Sequence, residues 1–394
     1  MHWKINARKL RLPEGPSSQR RKLEQQPACD GLKPPALLLL RSMRERQHYL
    51  TLDALRGIAA FAVMIYHQQQ TAVMGHGYLA VDFFFILSGF VIAKAYERKL
   101  LSNMRFSDFA LIRIARLYPL LIAATLVATA YMLMSSIRRG EDLGWLRLLP
   151  SAVLAIPDPS RTFAPDPFPL LPVVWSLFFE LLANFVYAAR AEWLSTRKLA
   201  VIVAVNAILL SFALVHHGNG ELGNTYATLW AGVPRVLFSF MAGVLCFRFH
   251  AEGRLVTPAI SPLVLAAVLF ALLAMPHDAS WAYDAICIFV MFPAILMAAM
   301  NNEPEVRWNR AARFSADLSY PLYLLHLPLM LWLGFCLSHL GVKMPVQQLL
   351  ELFAVPALAY AAYIFFDRPI QSVLKSHLAR ISPRVAPASD ARAL

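Results

Sequence analysis

The 394-residue chain is 58% hydrophobic and only 15% charged, with a mean hydropathy of +0.51, where soluble domains carry about a quarter charged residues. That composition excludes an ordinary soluble enzyme. The net charge of +13 could in principle pair with nucleic-acid phosphates, but the basic residues lie between apolar stretches, where they set membrane orientation instead.

Four scattered cysteines, Cys29, Cys246, Cys287 and Cys336, supply neither a disulfide framework nor a CxxC-type metal site. No metal, no nucleic acid and no permanently bound cofactor is expected.

Residues 1–49 read as a basic, disordered cytoplasmic tail, polar and proline-containing with little to bury. Met43 leads directly into the first apolar stretch and is the expected start, which would leave 1–42 outside the native protein. Ten apolar stretches follow, at 55–71, 78–94, 117–134, 173–189, 199–216, 229–247, 259–275, 281–300, 317–338 and 348–366. Each has the length that crosses a hydrocarbon core, roughly 17 to 25 residues. Backbone groups in lipid must be satisfied internally, so the stretches are helices. The fold class is therefore all-α, a polytopic transmembrane bundle over residues 50–370, followed by a C-terminal tail at 371–394. An even number of spans puts both termini on one side. With that side cytoplasmic, inner segments hold 29 Lys and Arg and outer segments 5, the asymmetry that the positive-inside rule requires.

Ionisable groups inside spans are costly and so mark function. His67 lies near the outer end of the first span and Asp82 near the same surface in the second, so the two can meet at one depth. An imidazole beside a carboxylate is held in one tautomer as a general base for a hydroxyl. Arg56 precedes His67 by about three helical turns, roughly 16 Å, so both project from one face. Ser88-Gly89 in the second span permits close helix approach. The next inner segment ends in Arg113-Ile-Ala-Arg116-Leu-Tyr-Pro119. If helical, it puts two guanidiniums on one face, a pair suited to bidentate phosphate binding.

The proline-rich outer segment 135–172 covers a substrate or serves as a spacer, and its 145–156 piece predicts one short interfacial helix with Trp145 at headgroup level. The fourth span opens with Trp175-Ser-Leu-Phe-Phe-Glu180, which places a carboxylate near mid-membrane where it must be paired or protonated. Arg235, in the sixth span, is its candidate counter-ion. His326, between Pro321 and Pro328 of the ninth span, faces the site or bonds a carbonyl freed by a proline kink, and the second, structural role is favoured. Asp284 and Glu351 lie nearer the outer boundary, where solvation predicts no special role.

Taken in order, these residues resemble the acyltransferase 3 family of bacterial membrane acyltransferases. Arg56 and His67 match its Arg-x10-His signature, residues 77–90 its second-span block, Arg113 and Arg116 its RxxR element, Trp175 to Glu180 its WSLxxE block, Ser319 to His326 its SYxLYLxH block, and Asp367-Arg368-Pro369 its closing turn. The resemblance implies a multi-pass protein of the bacterial inner membrane that takes an acyl group, commonly acetyl, from acyl-coenzyme A at the cytoplasmic side. The acceptor it implies is a hydroxyl of a cell-surface glycan or lipid-linked sugar. His67 is then the catalytic histidine, either acylated or acting as a base, and Asp82 its partner. Arg56, Arg113 and Arg116 bind the donor, and Trp175, Glu180, Arg235 and His326 wall the site. A proton-coupled secondary transporter would use similar intramembrane charges, but the two halves show no repeat of broken spans.

Overall fold

The computed structural model describes residues 49–68, 72–161, 165–254, 258–276 and 280–381; residues 1–42 and the expected start at Met43 lie outside them. No strand occurs among the described residues, and the chain runs through helices α1 (Leu50–Tyr66), α2 (Ala80–Leu100), α3 (Phe106–Arg139), α4 (Leu149–Leu154), α5 (Val174–Arg190) and α6 (Thr196–His217). There follow α7 (Leu229–Ala251), α8 (Pro262–Leu273), α9 (Trp281–Asn301), α10 (Asn309–His339), α11 (Met344–Ala362) and α12 (Arg368–Ile381). Among the described residues, seven long helical stretches have the length and apolarity to cross a membrane, namely those carrying α2, α3, α6, α7, α9, α10 and α11. The other three predicted spans fall on the shorter helices α1, α5 and α8, of 17, 17 and 12 residues.

Local chemistry sets the boundaries. The Ser195 hydroxyl accepts from the Lys198 amide at the start of α6, satisfying one of the amides a helix leaves open there. Prolines occupy the first turn of α4, α8 and α11, where the missing N–H costs nothing. Gly140, at φ +64°, ends α3, a conformation open to glycine without steric cost. The two prolines of α10, Pro321 and Pro328, do not break it, and the helix continues for 31 residues.

Two helix pairs frame the interior. α1 lies along α10, and α2 lies along α7. The second pair meets backbone to backbone. A side chain on Gly89 would strike the Phe240 carbonyl, and one on Gly243 would strike the Ile86 carbonyl, so both glycines are required for this approach.

The shorter segments take definite form here. Trp145 is buried against the protein, and its indole N–H donates to Ser136 Oγ of α3 at 3.1 Å, which satisfies the indole donor. The predicted 145–156 helix is a 3₁₀ turn, Gly144–Leu148, leading into the six-residue α4. The C-terminal segment continues as α12: a π-helical turn at Tyr363–Asp367 joins it to α11, and the Gln371 side-chain amide donates to the carbonyls of Ala115 and Arg116 at 3.1 and 2.8 Å.

Candidate active site

A cavity of about 850 Å³, counting the open space at its mouth, lies between α1, α2, α3, α5 and α10. Its wall is apolar along α2, with Val81, Phe84, Phe85, Leu87 and Val91, and charged at Arg56, Arg113, Arg116 and Glu180. The helical spacing of Arg113 and Arg116 brings both guanidiniums to this one space, as their sequence interval requires.

Each arginine has a distinct anchor. Arg113 reaches Glu180 Oε1 at 3.2 Å, and the same oxygen accepts from Ser88 Oγ at 2.7 Å. Arg116 reaches Asp367 Oδ2 at 3.2 Å and lies over the Tyr320 ring, 5.4 Å from its centroid. Arg56 donates to Ser319 Oγ at 3.0 Å. The Nε of Arg113, 2% exposed, has no hydrogen-bond partner among the described residues. A buried guanidinium N–H left unpaired is costly.

Glu180 is therefore paired, as its depth demanded, but with Arg113 and Ser88. Arg235, the expected counter-ion, is engaged elsewhere. It grips Asp82 through Nε at 3.0 and 3.1 Å and through Nη2 at 2.6 Å. Its remaining donors reach the carbonyls of Leu222 and Tyr78 at 2.7 and 3.2 Å, and its guanidinium faces Trp175 at 5.2 Å. Both members are fully buried, so a fork-shaped cation saturating the carboxylate is the arrangement that offsets their desolvation.

This corrects the predicted His67–Asp82 pair. Asp82 is committed to Arg235, and His67 makes its contacts along α1 and α10. His67 Nδ1 lies 2.8 Å from the Val63 carbonyl and 3.2 Å from His326 Nε2. His326 Nδ1 in turn meets the carbonyls of Leu322 and Tyr323 at 3.1 and 2.7 Å. Carbonyls only accept, so His326 carries its hydrogen on Nδ1, and in a neutral ring Nε2 is then an acceptor. His67 must donate from Nδ1 to it. The lone pair of His67 is left on Nε2, for which no partner occurs among the described residues.

His326 bonds carbonyls of its own helix, but those of Leu322 and Tyr323 are not the ones its flanking prolines free, which belong to Asp317 and Leu324, and it also orients His67. Arg56 and His67 both contact α10, through Ser319 and His326, in keeping with their shared face. Neither histidine lines the cavity, and neither do Asp82, Trp175 and Arg235. Trp175 and Arg235 stand one layer behind it.

Sequence reasoning missed Ser319 and Tyr323, which line the cavity from α10. Their signal was present, since 319, 323 and 326 repeat at helical spacing on one face. It also misjudged Asp284, which is completely buried and accepts from the Tyr78 hydroxyl at 2.9 Å and the Gly220 amide at 2.7 Å. Glu351 is buried too, and accepts from the Gln68 amide at 3.3 Å.

Comparison with known proteins identifies the family. Residues 49–366 match the family model described as an acyltransferase domain. "Protein 2 in picA locus" of Rhizobium radiobacter is 34% identical over 181 residues, 42% of this chain and 95% of that protein. "Exopolysaccharide production protein ExoZ" of Rhizobium meliloti (strain 1021) is 24% identical over 326 residues, 78% of this chain and 94% of its own length. A protein of Staphylococcus aureus (strain COL), provisionally named an O-acetyltransferase, is 24% identical over 306 residues, 70% of this chain and 49% of that protein. No solved structure matches. The chain is a multi-pass membrane O-acyltransferase and belongs to the acyltransferase domain family.

Proposed function

We propose that the protein transfers an acyl group, acetyl or similarly short, from acyl-coenzyme A to a hydroxyl of a surface or lipid-linked carbohydrate in the bacterial inner membrane, with both termini cytoplasmic. The observation that carries this reading is the cavity itself: an apolar wall facing three guanidiniums, with a histidine pair beyond its lining in which His67 keeps its Nε2 lone pair. An uncharged arm ending in a small acyl thioester, with an anionic phosphate end, is what acyl-coenzyme A presents. The name of the exopolysaccharide relative favours a carbohydrate acceptor.

In this scheme the acceptor hydroxyl gives its proton to His67 Nε2 as its oxygen attacks the thioester carbonyl. The carbon–sulfur bond breaks as the carbon–oxygen bond forms, and the proton passes to the departing thiolate. His67 is then neutral again. Arg113 and Arg116 hold donor phosphates, with Arg56 next along the cavity.

Purified protein in lipid nanodiscs, given acetyl-coenzyme A and surface polysaccharide extracted from the cells that make it, should release coenzyme A thiol and esterify the glycan. No thiol release above a protein-free control would sink the reading. Arg113→Ala is expected to raise the donor KM about tenfold with a smaller change in kcat, the cost of one charge-assisted contact. An unchanged KM would remove Arg113 from donor binding. For His326, we expect His326→Ala to lower kcat about tenfold or more at constant donor KM. His326→Gln, whose amide oxygen can accept from His67 Nδ1, should recover part of that loss. Equal rates for the two variants would assign His326 to packing alone.

A further inference from the structure

The donor cavity stops short of the histidine that must meet the donor. Neither His67 nor His326 belongs to its lining, yet Tyr323 does. The Tyr323 ring centroid stands 6.2 Å from that of His326, and its carbonyl accepts from His326 Nδ1 at 2.7 Å. On its other side the ring meets Phe84, a second cavity wall, edge to face at 5.5 Å. Tyr323 therefore touches the cavity and the histidine pair at once.

Its position is held by a latch. The Tyr323 hydroxyl lies 2.5 Å from Ser176 Oγ, and the two hydroxyls both reach the Val173 carbonyl, at 3.4 and 3.1 Å. These hydroxyl contacts and the ring contacts with Phe84 and His326 hold the side chain between the cavity and the histidines. Each is individually weak enough to be exchanged within a turnover.

The geometry points to Tyr323, with Phe84, as a partition between the donor chamber and the His67–His326 pair, one that selects the acyl group by size. The inference rests on the acyl-transfer reading above. A short acyl group passes when the Tyr323 ring turns aside, while a long chain needs more room than a turned ring clears. The apolar wall of α2 would bind long and short chains alike, so discrimination falls on passage and appears in kcat rather than in donor affinity.

The test uses the full-length protein in lipid nanodiscs with acetyl-, butyryl- and octanoyl-coenzyme A, reading thiol release at saturating donor with the extracted polysaccharide present. Wild type should favour acetyl. Tyr323→Ala is expected to raise the octanoyl-to-acetyl ratio of kcat about tenfold or more, and Phe84→Ala to raise it by less, in line with what apolar pockets discriminate per group removed. Tyr323→Phe keeps the ring and should keep the acetyl preference. If Tyr323→Ala does not fold, Tyr323→Leu takes its place.

Ratios within about twofold of wild type in both Tyr323→Ala and Phe84→Ala, well below what removal of a ring should release, would overturn the partition while leaving acyl transfer intact. So would a Tyr323→Phe shift as large as that of Tyr323→Ala. A wild type inactive with every donor would bring down the acyl-transfer reading, and the partition with it.

Discussion

Replacing His67 by alanine is expected to lower acyl transfer by about 100- to 10,000-fold, the range a positioned general base supplies, while helix content and thermal midpoint stay near wild type. The reasoning follows from where the ring sits. His67 caps the C-terminal end of α1 and is part-exposed, and its hydrogen bonds run to Val63 and His326. Its removal opens little core. Val63 O still has its helical partner, the His67 main-chain N–H at 3.2 Å. His326 Nε2 loses its donor, a cost of about 1–3 kcal/mol for an acceptor left open in a buried ring, which moves the midpoint by only a few degrees in a chain of this size. The measurement is coenzyme A thiol release alongside circular dichroism in the same nanodiscs. Activity within about tenfold of wild type, below the low end of general-base effects, would remove His67 from the chemistry.

Substitution at Asp82 should behave in the opposite way. Asp82→Ala strips the guanidinium of Arg235 of its carboxylate in a site where both are fully buried, and breaking such a pair costs about 3–5 kcal/mol. The expected result is a lowered thermal midpoint and poor recovery of folded protein, with lost turnover as a consequence. Removing both charges together, Asp82→Leu with Arg235→Met, should restore much of the midpoint, because no lone charge remains inside. A midpoint unchanged in Asp82→Ala, with turnover abolished, would return Asp82 to the reaction itself.

These contrasting expectations show what the sequence could and could not specify. Helices were legible because apolar runs of membrane length have a single backbone solution in lipid, and the candidate residues were legible because charge inside such runs is costly. Pairing was not. Depth along a span constrains a side chain to a level, but not to a neighbour. Asp82 could satisfy that level with His67, two helices in sequence, or with Arg235, 153 residues away. The fork geometry of arginine decided between them. Glu180 posed the same question, and Ser88 with Arg113 answered it. Asp284 was misread because proximity to a span end was taken for solvation, whereas the segments around Gly77 and Gly220 fold over it.

The backbone contact at Gly89 and Gly243 bears on how the machine can work. Two helices touching main chain to main chain, each glycine seated against the other's carbonyl, have no slack for one to rock upon the other, because a dense interface shifts between discrete packings or not at all. α2, which carries the apolar wall, and α7, which carries Arg235, form one stiff plank through the bundle. A carrier that alternately opens to two sides would have to swing that plank as one body. An enzyme that leaves its walls still, and lets a small group cross a thin barrier between them, does not.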